Sequence, residues 1–231
     1  MCGRVQLQLT WADLVALYRM DPWFALPDLS LPRYNIAPTQ LHPVIIAAES
    51  GMTMRAMRWG FPALWLARQG KDPWKGGPPL INARAEEAAH KETWSAALRW
   101  RRCLVPTTGF YEWQKEGKKR WPLCFSPPGG GTLTMGGLWG RFEREGSAVD
   151  CFAILTVPAS ADLLGVHDRM PVLLAPEDYA AWLNEQSPWS VVEALMKTAP
   201  PGSLQAREVS TALNAWSAEG PAVLEADWAR A

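Results

Sequence analysis

Four places in this 231-residue sequence put reactive side chains beside groups that could activate them. The first is Cys2. Were Met1 removed, the Cys2 thiol would stand two carbons from a free α-amine, whose ordinary pKa of about 7.7–8.0 leaves a useful fraction unprotonated near neutrality. Such a 1,2-aminothiol condenses with an aldehyde to a Schiff base, and the thiol then closes a five-membered thiazolidine ring that water opens only slowly. The second is Asn82, which with Arg84 ends the apolar run Pro79–Ile81 where a helical pattern begins; an Asn there could equally cap the helix. The third is Glu112, between Tyr111 and Trp113, where lost solvation must raise its pKa or a partner must hold its charge, unless it lies on an edge and faces water. The fourth is His167, next to Asp168 and Arg169 and just ahead of an apolar run, so that charged neighbours can tune its imidazole. His42 and His90 lack such company and are expected to be surface or structural residues.

The elements that must position these groups are short. Thr10 to Met20 places Trp11, Leu14, Val15 and Tyr18 on one helical face, with Thr10 and Asp13 spaced as a capping box. Beyond a Pro-rich stretch from Asp21 to Pro38, β-like runs are predicted at 44–48, 54–59, 103–105, 110–113, 123–125, 133–138, 151–157 and 171–174. Helical patterns recur at 83–100, 176–185 and 188–196. This order lacks the regular strand–helix alternation of a parallel sheet and predicts an α+β fold. A curled, mostly antiparallel sheet is flanked by helices in one domain spanning 1–231. Residues 60–80, rich in Gly and Pro around Trp65 and Trp74, are predicted to form a long exposed loop.

A content of 48% hydrophobic and 20% charged residues suffices for a core and excludes a disordered chain. The longest uncharged stretch, 121–140, carries three prolines and six glycines and is no membrane span. No apolar leader follows Met1, so a cytoplasmic location is expected. The four cysteines, Cys2, Cys103, Cys124 and Cys151, never form a Cys-x-x-Cys pair and are expected to be reduced, with no metal or cofactor implied. The 23 basic and 23 acidic residues cancel overall but not locally: residues 91–144 carry 10 basic against 4 acidic, and residues 145–231 carry 4 against 12. The basic zone could attract phosphates, because a groove feels charges within about one Debye length; a solvated face balanced by an acidic end is the plainer reading.

Met1-Cys2-Gly3-Arg4, Arg33-Tyr34-Asn35-Ile36-Ala37-Pro38-Thr39, Trp59-Gly60, Ile81 to Glu86, Gly109 to Trp113, His167 to Pro171 and Val209-Ser210-x-x-Leu213-Asn214 together resemble the SRAP (SOS response-associated peptidase) family, in family order over nearly the whole chain. The resemblance implies a curled antiparallel α+β domain, a monomer, that traps abasic sites in single-stranded DNA through its N-terminal cysteine, without a cofactor, and meets the nucleoid on DNA damage. It implies Cys2 as nucleophile once Met1 is gone and Asn82 as the group holding the linked sugar. Glu112 would exchange protons with the α-amine, and His167 would move a proton at the sugar oxygen. Arg4, Arg84 and Arg169 would contact phosphates, while Trp113, with Trp65 or Trp74, would stack on nucleotides. Position 2 itself is expected to contribute little to the core. Two other readings are open: a cysteine peptidase using Cys2, Glu112 and His167, for which no oxyanion hole is evident in the sequence, and a non-catalytic nucleic-acid-binding module using the basic middle and the fourteen tryptophans, which survives if Met1 is retained.

Overall fold

The computed structural model describes residues 2–20, 29–49 and 51–228. Met1 and residues 21–28 of the Pro-rich stretch lie outside them. In chain order the elements are β1 (Val5–Leu7), α1 (Trp11–Leu17), β2 (Arg33–Ile36), β3 (Leu41–Ala48), β4 (Gly51–Trp59), β5 (Asn82–Arg84), α2 (Ala85–Ala88), α3 (Glu92–Trp100), β6 (Arg102–Thr107), β7 (Gly109–Glu116), β8 (Lys119–Ser126), β9 (Leu133–Arg144), β10 (Ser147–Pro158), β11 (Arg169–Pro171), α4 (Tyr179–Leu183), α5 (Trp189–Leu195) and β12 (Gln205–Glu208).

The strands build two sheets. In the larger, β4, β3, β6, β9 and β10 pair in turn and β10 returns to β4, closing a five-stranded barrel. All of its pairings are antiparallel except β10 with β4. Closure removes exposed strand edges, which would otherwise template pairing with other chains. Close approach inside the barrel requires glycine at position 137, where a Cβ would come within 2.9 Å of Cys103 Sγ and Val105 Cγ2. The second sheet, in the order β12-β8-β7-β1-β2, is antiparallel throughout. One main core cluster joins the barrel to one face of that sheet, and a smaller cluster of Tyr111, Cys124, Val209, Leu213 and Val223 covers the other. The expected α+β class with a mostly antiparallel, barrel-like sheet is therefore the architecture observed.

Local signals hold where local bonds decide. The capping box at Thr10 and Asp13 is present at the start of α1. The helix predicted over 83–100 is instead three pieces, β5, α2 and α3, because Asn82, Ala83 and Arg84 pair with Ile154, Leu155 and Thr156 of β10; tertiary pairing overrides a weak propensity. Within the expected loop 60–80, Leu64–Gln69 form a 3₁₀ helix, and Phe61 bridges Leu80 and packs on Trp94 and Phe142. The pattern at 176–185 splits into a 3₁₀ turn, Pro176–Asp178, followed by α4. Among the described residues no helix is long and apolar enough to cross a membrane.

Candidate active site

The pairing of β1 with β7 brings two of the four reactive positions together. Val5 lies opposite Phe110, and the Tyr111 N–H donates to the Arg4 carbonyl at 2.9 Å, so the chain ahead of β1 runs beside Glu112. Gly109, at the start of β7, permits this approach: a Cβ there would stand 2.8 Å from Gln6 Nε2 and 2.9 Å from Cys124 Sγ. Side chains alternate along β7. Phe110 joins the main core, Tyr111 joins the smaller cluster, and Trp113 packs against that same cluster.

Cys2 is 1% exposed and belongs to the main core, which corrects the expectation that position 2 packs little. Burial, and secondarily the Glu112 carboxylate nearby, push its thiol well above the ordinary cysteine range. Glu112 is buried as well; desolvation pushes its carboxyl up, while positive charge, that of His167 included, pulls it back. Glu112 thus lies within electrostatic reach of both Cys2 and His167.

β5 supplies the fourth member. Asn82 Nδ2 donates to the Cys2 carbonyl at 2.9 Å, and its Oδ1 is buried without a hydrogen-bond partner among the described residues. Asn82 therefore lies on a strand and caps no helix; α2 begins after Arg84 without a side-chain cap. His167 Nδ1 accepts the Arg169 backbone N–H at 2.9 Å and lies 3.0 Å from Asp168 Oδ1.

Beside these groups opens a cleft of about 710 Å³ whose lining includes Arg4, Glu112, Trp113, Lys118, Arg120 and Asn214. Arg4 donates to Asn35 Oδ1 at 2.6 Å and to the Leu213 carbonyl at 3.0 Å, and its guanidinium lies 5.8 Å from the Trp113 ring centre. The Trp113 indole N–H donates to Asn214 Oδ1 at 2.8 Å, which ties the late motif to the cleft wall. Lys118 and Arg120, at the turn and on β8, were not singled out from sequence beyond the basic zone that contains them. Trp216 was also missed; it is 68% exposed and borders an adjoining recess with Pro38 and Thr39. Thr39, at the edge of this recess, adopts φ +74°, an outlier for a β-branched residue.

Four other expected DNA contacts, Arg84, Trp65, Trp74 and Arg169, do not line this cleft. Arg84 is half-exposed and pairs with Glu87 at 3.1 Å. Trp65 is 52% exposed, whereas Trp74 is packed edge-on against Phe142, with Arg58 and Arg144 over its ring and its indole N–H bonded to the Glu143 carbonyl. Arg169 is withdrawn from the surface. Its side chain is 10% exposed and is held by Glu86 and by the Thr156 carbonyl, so a phosphate would have to displace Glu86 to reach it. The reason is topological: β11 enters the barrel wall beside β10, which carries the guanidinium inward.

An α+β barrel with a cysteine at position 2 buried near Asn82 and Glu112 defines a recognisable class. The chain matches the family described as SOS response associated peptidase (SRAP) over residues 1–216. It is 29% identical to the abasic site processing protein YoqW of Bacillus subtilis over 97% of this chain and 99% of that protein. It is 30% identical to YobE of the same organism over 93% and 96%, and 29% identical to YedK of Escherichia coli over 80% and 81%. The fold is shared with a solved protein of Bacteroides thetaiotaomicron at 19% identity, with TM-score 0.81 over 98% of this chain and 100% of that one. The chain belongs to the SRAP family.

The raised Glu112 carboxyl has a consequence for stability. Because folding favours its protonated form, the stability it supports is complete below the ordinary carboxylate range and is lost as pH rises through the raised pKa. Glu112→Gln should therefore raise the melting temperature at pH 7, by the 2–4 °C that about 1 kcal/mol is worth in a chain of this size. In thermal melts the difference should vanish below about pH 4, where both side chains are neutral. A variant less stable than the parent at pH 7 would refute the expectation.

Proposed function

We propose that this chain, acting as one domain over residues 1–231, processes abasic sites in single-stranded DNA by linking itself covalently to them through Cys2. The observation that carries the proposal is the convergence of Cys2, Asn82, Glu112 and His167 beside a cleft lined by Arg4, Lys118, Arg120 and Trp113. The relatives' names, which describe abasic site processing, support the substrate.

The chemistry requires Cys2 to carry the free α-amine. An abasic deoxyribose is mostly a closed hemiacetal, and His167 moves the proton at its ring oxygen as the ring opens to the aldehyde. Glu112 takes a proton from the α-ammonium; the amine adds to the aldehyde carbon, and loss of water gives the imine. From the imine the strand can break by elimination of the 3′ phosphate. Alternatively the Cys2 thiol adds across the C=N bond, its sulfur joining carbon and its proton passing to nitrogen, which closes the thiazolidine. A thiol held protonated by burial suits this order, with amine first and sulfur second. Asn82 fixes the Cys2 carbonyl through Nδ2 and keeps Oδ1 as an acceptor for a sugar hydroxyl.

Arg4, Arg84, Lys118 and Arg120 contact phosphates, and Trp113 and Trp65 offer faces to unstacked bases. Each phosphate neutralised should appear in the salt dependence. Arg84→Ala and Arg120→Ala should each lower the slope of log K against log salt by about 0.7 for single-stranded DNA. Unchanged slopes in binding titrations would remove the residue concerned from the interface.

A cysteine peptidase would need a thiolate, formed where positive surroundings lower the thiol pKa. Burial and Glu112 push the Cys2 thiol the other way, which favours the aldehyde reading. The test is to incubate the protein with single-stranded DNA bearing one abasic site, then compare denaturing gels with the intact mass. A heat-stable adduct confined to molecules that begin at Cys2 is expected. No adduct, or equal linkage by molecules retaining Met1, would overturn the proposal.

A further inference from the structure

Trp216 is the most exposed tryptophan among the described residues, at 68%, and the chemistry above gives it no task. A single exposed apolar side chain is ordinary on a protein surface. Trp216 differs in how firmly its backbone is held. It follows the first residue of a tight turn in which the Ala218 N–H donates to the Ala215 carbonyl at 3.2 Å. Both of those residues' carbonyls are also held by Asn35, which is buried and whose Nδ2 donates to Ala215 at 3.2 Å and to Ala218 at 2.7 Å. Asn35 Oδ1 in turn receives Arg4 Nη1 at 2.6 Å, so one buried amide fixes the Trp216 turn and the Arg4 guanidinium relative to each other. Just ahead of the turn, Asn214 Oδ1 receives the Trp113 indole N–H at 2.8 Å. An apolar face is thus presented to solvent from a pinned backbone.

The recess that Trp216 borders has a volume of about 310 Å³ and is lined also by Arg4, Ala37, Pro38, Thr39 and Gln40. Arg4 and Pro38 line the larger cleft as well, so they form the divide between the two. Polar groups of the recess are already engaged: Gln40 Oε1 accepts from Arg33 and from the Ala37 N–H, and the Thr39 N–H donates to the Trp59 carbonyl. Such a recess suits a flat apolar face and reads little of its edge. Arg4 makes both of its hydrogen bonds through Nη1, which leaves Nη2 and Nε for a phosphate. A phosphate joins two nucleotides. Held on Arg4, it leaves one of them in the cleft beside Trp113 and carries the next over the divide. We propose that Trp216 forms a base-stacking subsite that, with Pro38, receives the nucleobase next to the abasic sugar on one flank only. Stacking accepts every base but favours purines, whose faces are larger.

The subsite rests on the reading of the cleft as a path for single-stranded DNA, and the test separates the two. The probes are single strands carrying a tetrahydrofuran abasic analogue, which has no aldehyde and so binds without linking. The fluorescent base 2-aminopurine is placed on one or the other side of the analogue, and stacking on an indole quenches it. On one flank the emission of the parent complex should lie below that of the Trp216→Ala complex; on the other flank the two should agree. Trp216→Phe should keep part of the quenching. Affinity of Trp216→Ala should fall by about 5- to 100-fold, the scale for losing one base–aromatic stack. The salt slope should stay the same, because no phosphate contact is lost. When the flanking nucleotide is itself replaced by the abasic analogue, parent and Trp216→Ala should bind alike within about twofold, since the indole then has no partner.

An equal loss of affinity with and without the flanking base overturns the proposal, since Trp216 would then serve the fold. So does equal emission from parent and Trp216→Ala on both flanks, or a salt slope that falls with the tryptophan. A parent that binds and quenches as expected but forms no adduct with a true abasic site would sink the linkage chemistry and leave the subsite standing. A parent that links to abasic DNA, while Trp216→Ala matches it in affinity and emission, would sink the subsite alone. Should Trp216→Ala fail to fold, Trp216→Gln, which also lacks the ring, must give the same losses of quenching and affinity or the proposal fails.

Discussion

Cys2→Ala should give a protein that binds single-stranded DNA as tightly as the parent and forms no heat-stable adduct with an abasic site. The α-amine survives in this variant, so the imine still forms; what disappears is the sulfur that closes the ring. Borohydride, which reduces imines to stable amines, should therefore still trap the variant on DNA, and strand cleavage should continue or increase because the imine is no longer drained into thiazolidine. Since Cys2 is buried in the main core, the substitution has a folding cost, about 1 kcal/mol for the loss of one buried heavy atom. A melting curve separates that cost from the chemistry. A heat-stable adduct formed by the folded variant without borohydride would exclude the thiazolidine.

Glu112→Gln and His167→Ala should each slow the reaction by 10²- to 10⁴-fold, the usual range for general acid–base groups, but at different steps. Glu112 lies beside the chain that carries the nucleophile, with its carboxyl pushed up by burial, which favours its holding a proton taken from the amine. Its loss should chiefly slow imine formation and the strand cleavage that depends on the imine. His167 is more exposed, at 24%, and its ring is anchored at Nδ1 beside the Arg169 N–H and the Asp168 carboxylate, which suits a role at the sugar oxygen. Its loss should chiefly slow ring opening, and with it formation and release of the stable linkage. Time courses of cleaved and crosslinked DNA test the division. Both products slowed by one common factor in both variants would end the assignment of separate steps.

Much of this protein is legible in its residues, and the reason differs from place to place. Cys2, Asn82, Glu112 and His167 stand out because their types and immediate neighbours already imply chemistry. The α1 helix is legible because its capping box closes within four residues. Apolar alternation reveals the long strands, but not that β10 returns to β4 in parallel and shuts the barrel, since that bond joins residues nearly a hundred positions apart. The same limit applies to single residues. Asn82 could as well be a helix cap until β10 claims the backbone of β5, and the pairing of Arg169 with Glu86 is set by β11. Lys118 and Arg120 read as part of a diffuse basic zone until the β7–β8 hairpin sets them on the cleft beside Glu112. Residue type and spacing settle which atoms can react, because reactivity is a property of a side chain and its near neighbours. Only tertiary pairing decides which of those atoms meet, which are buried and which face solvent, because hydrogen-bond partners and desolvation come from strands that the local pattern cannot specify.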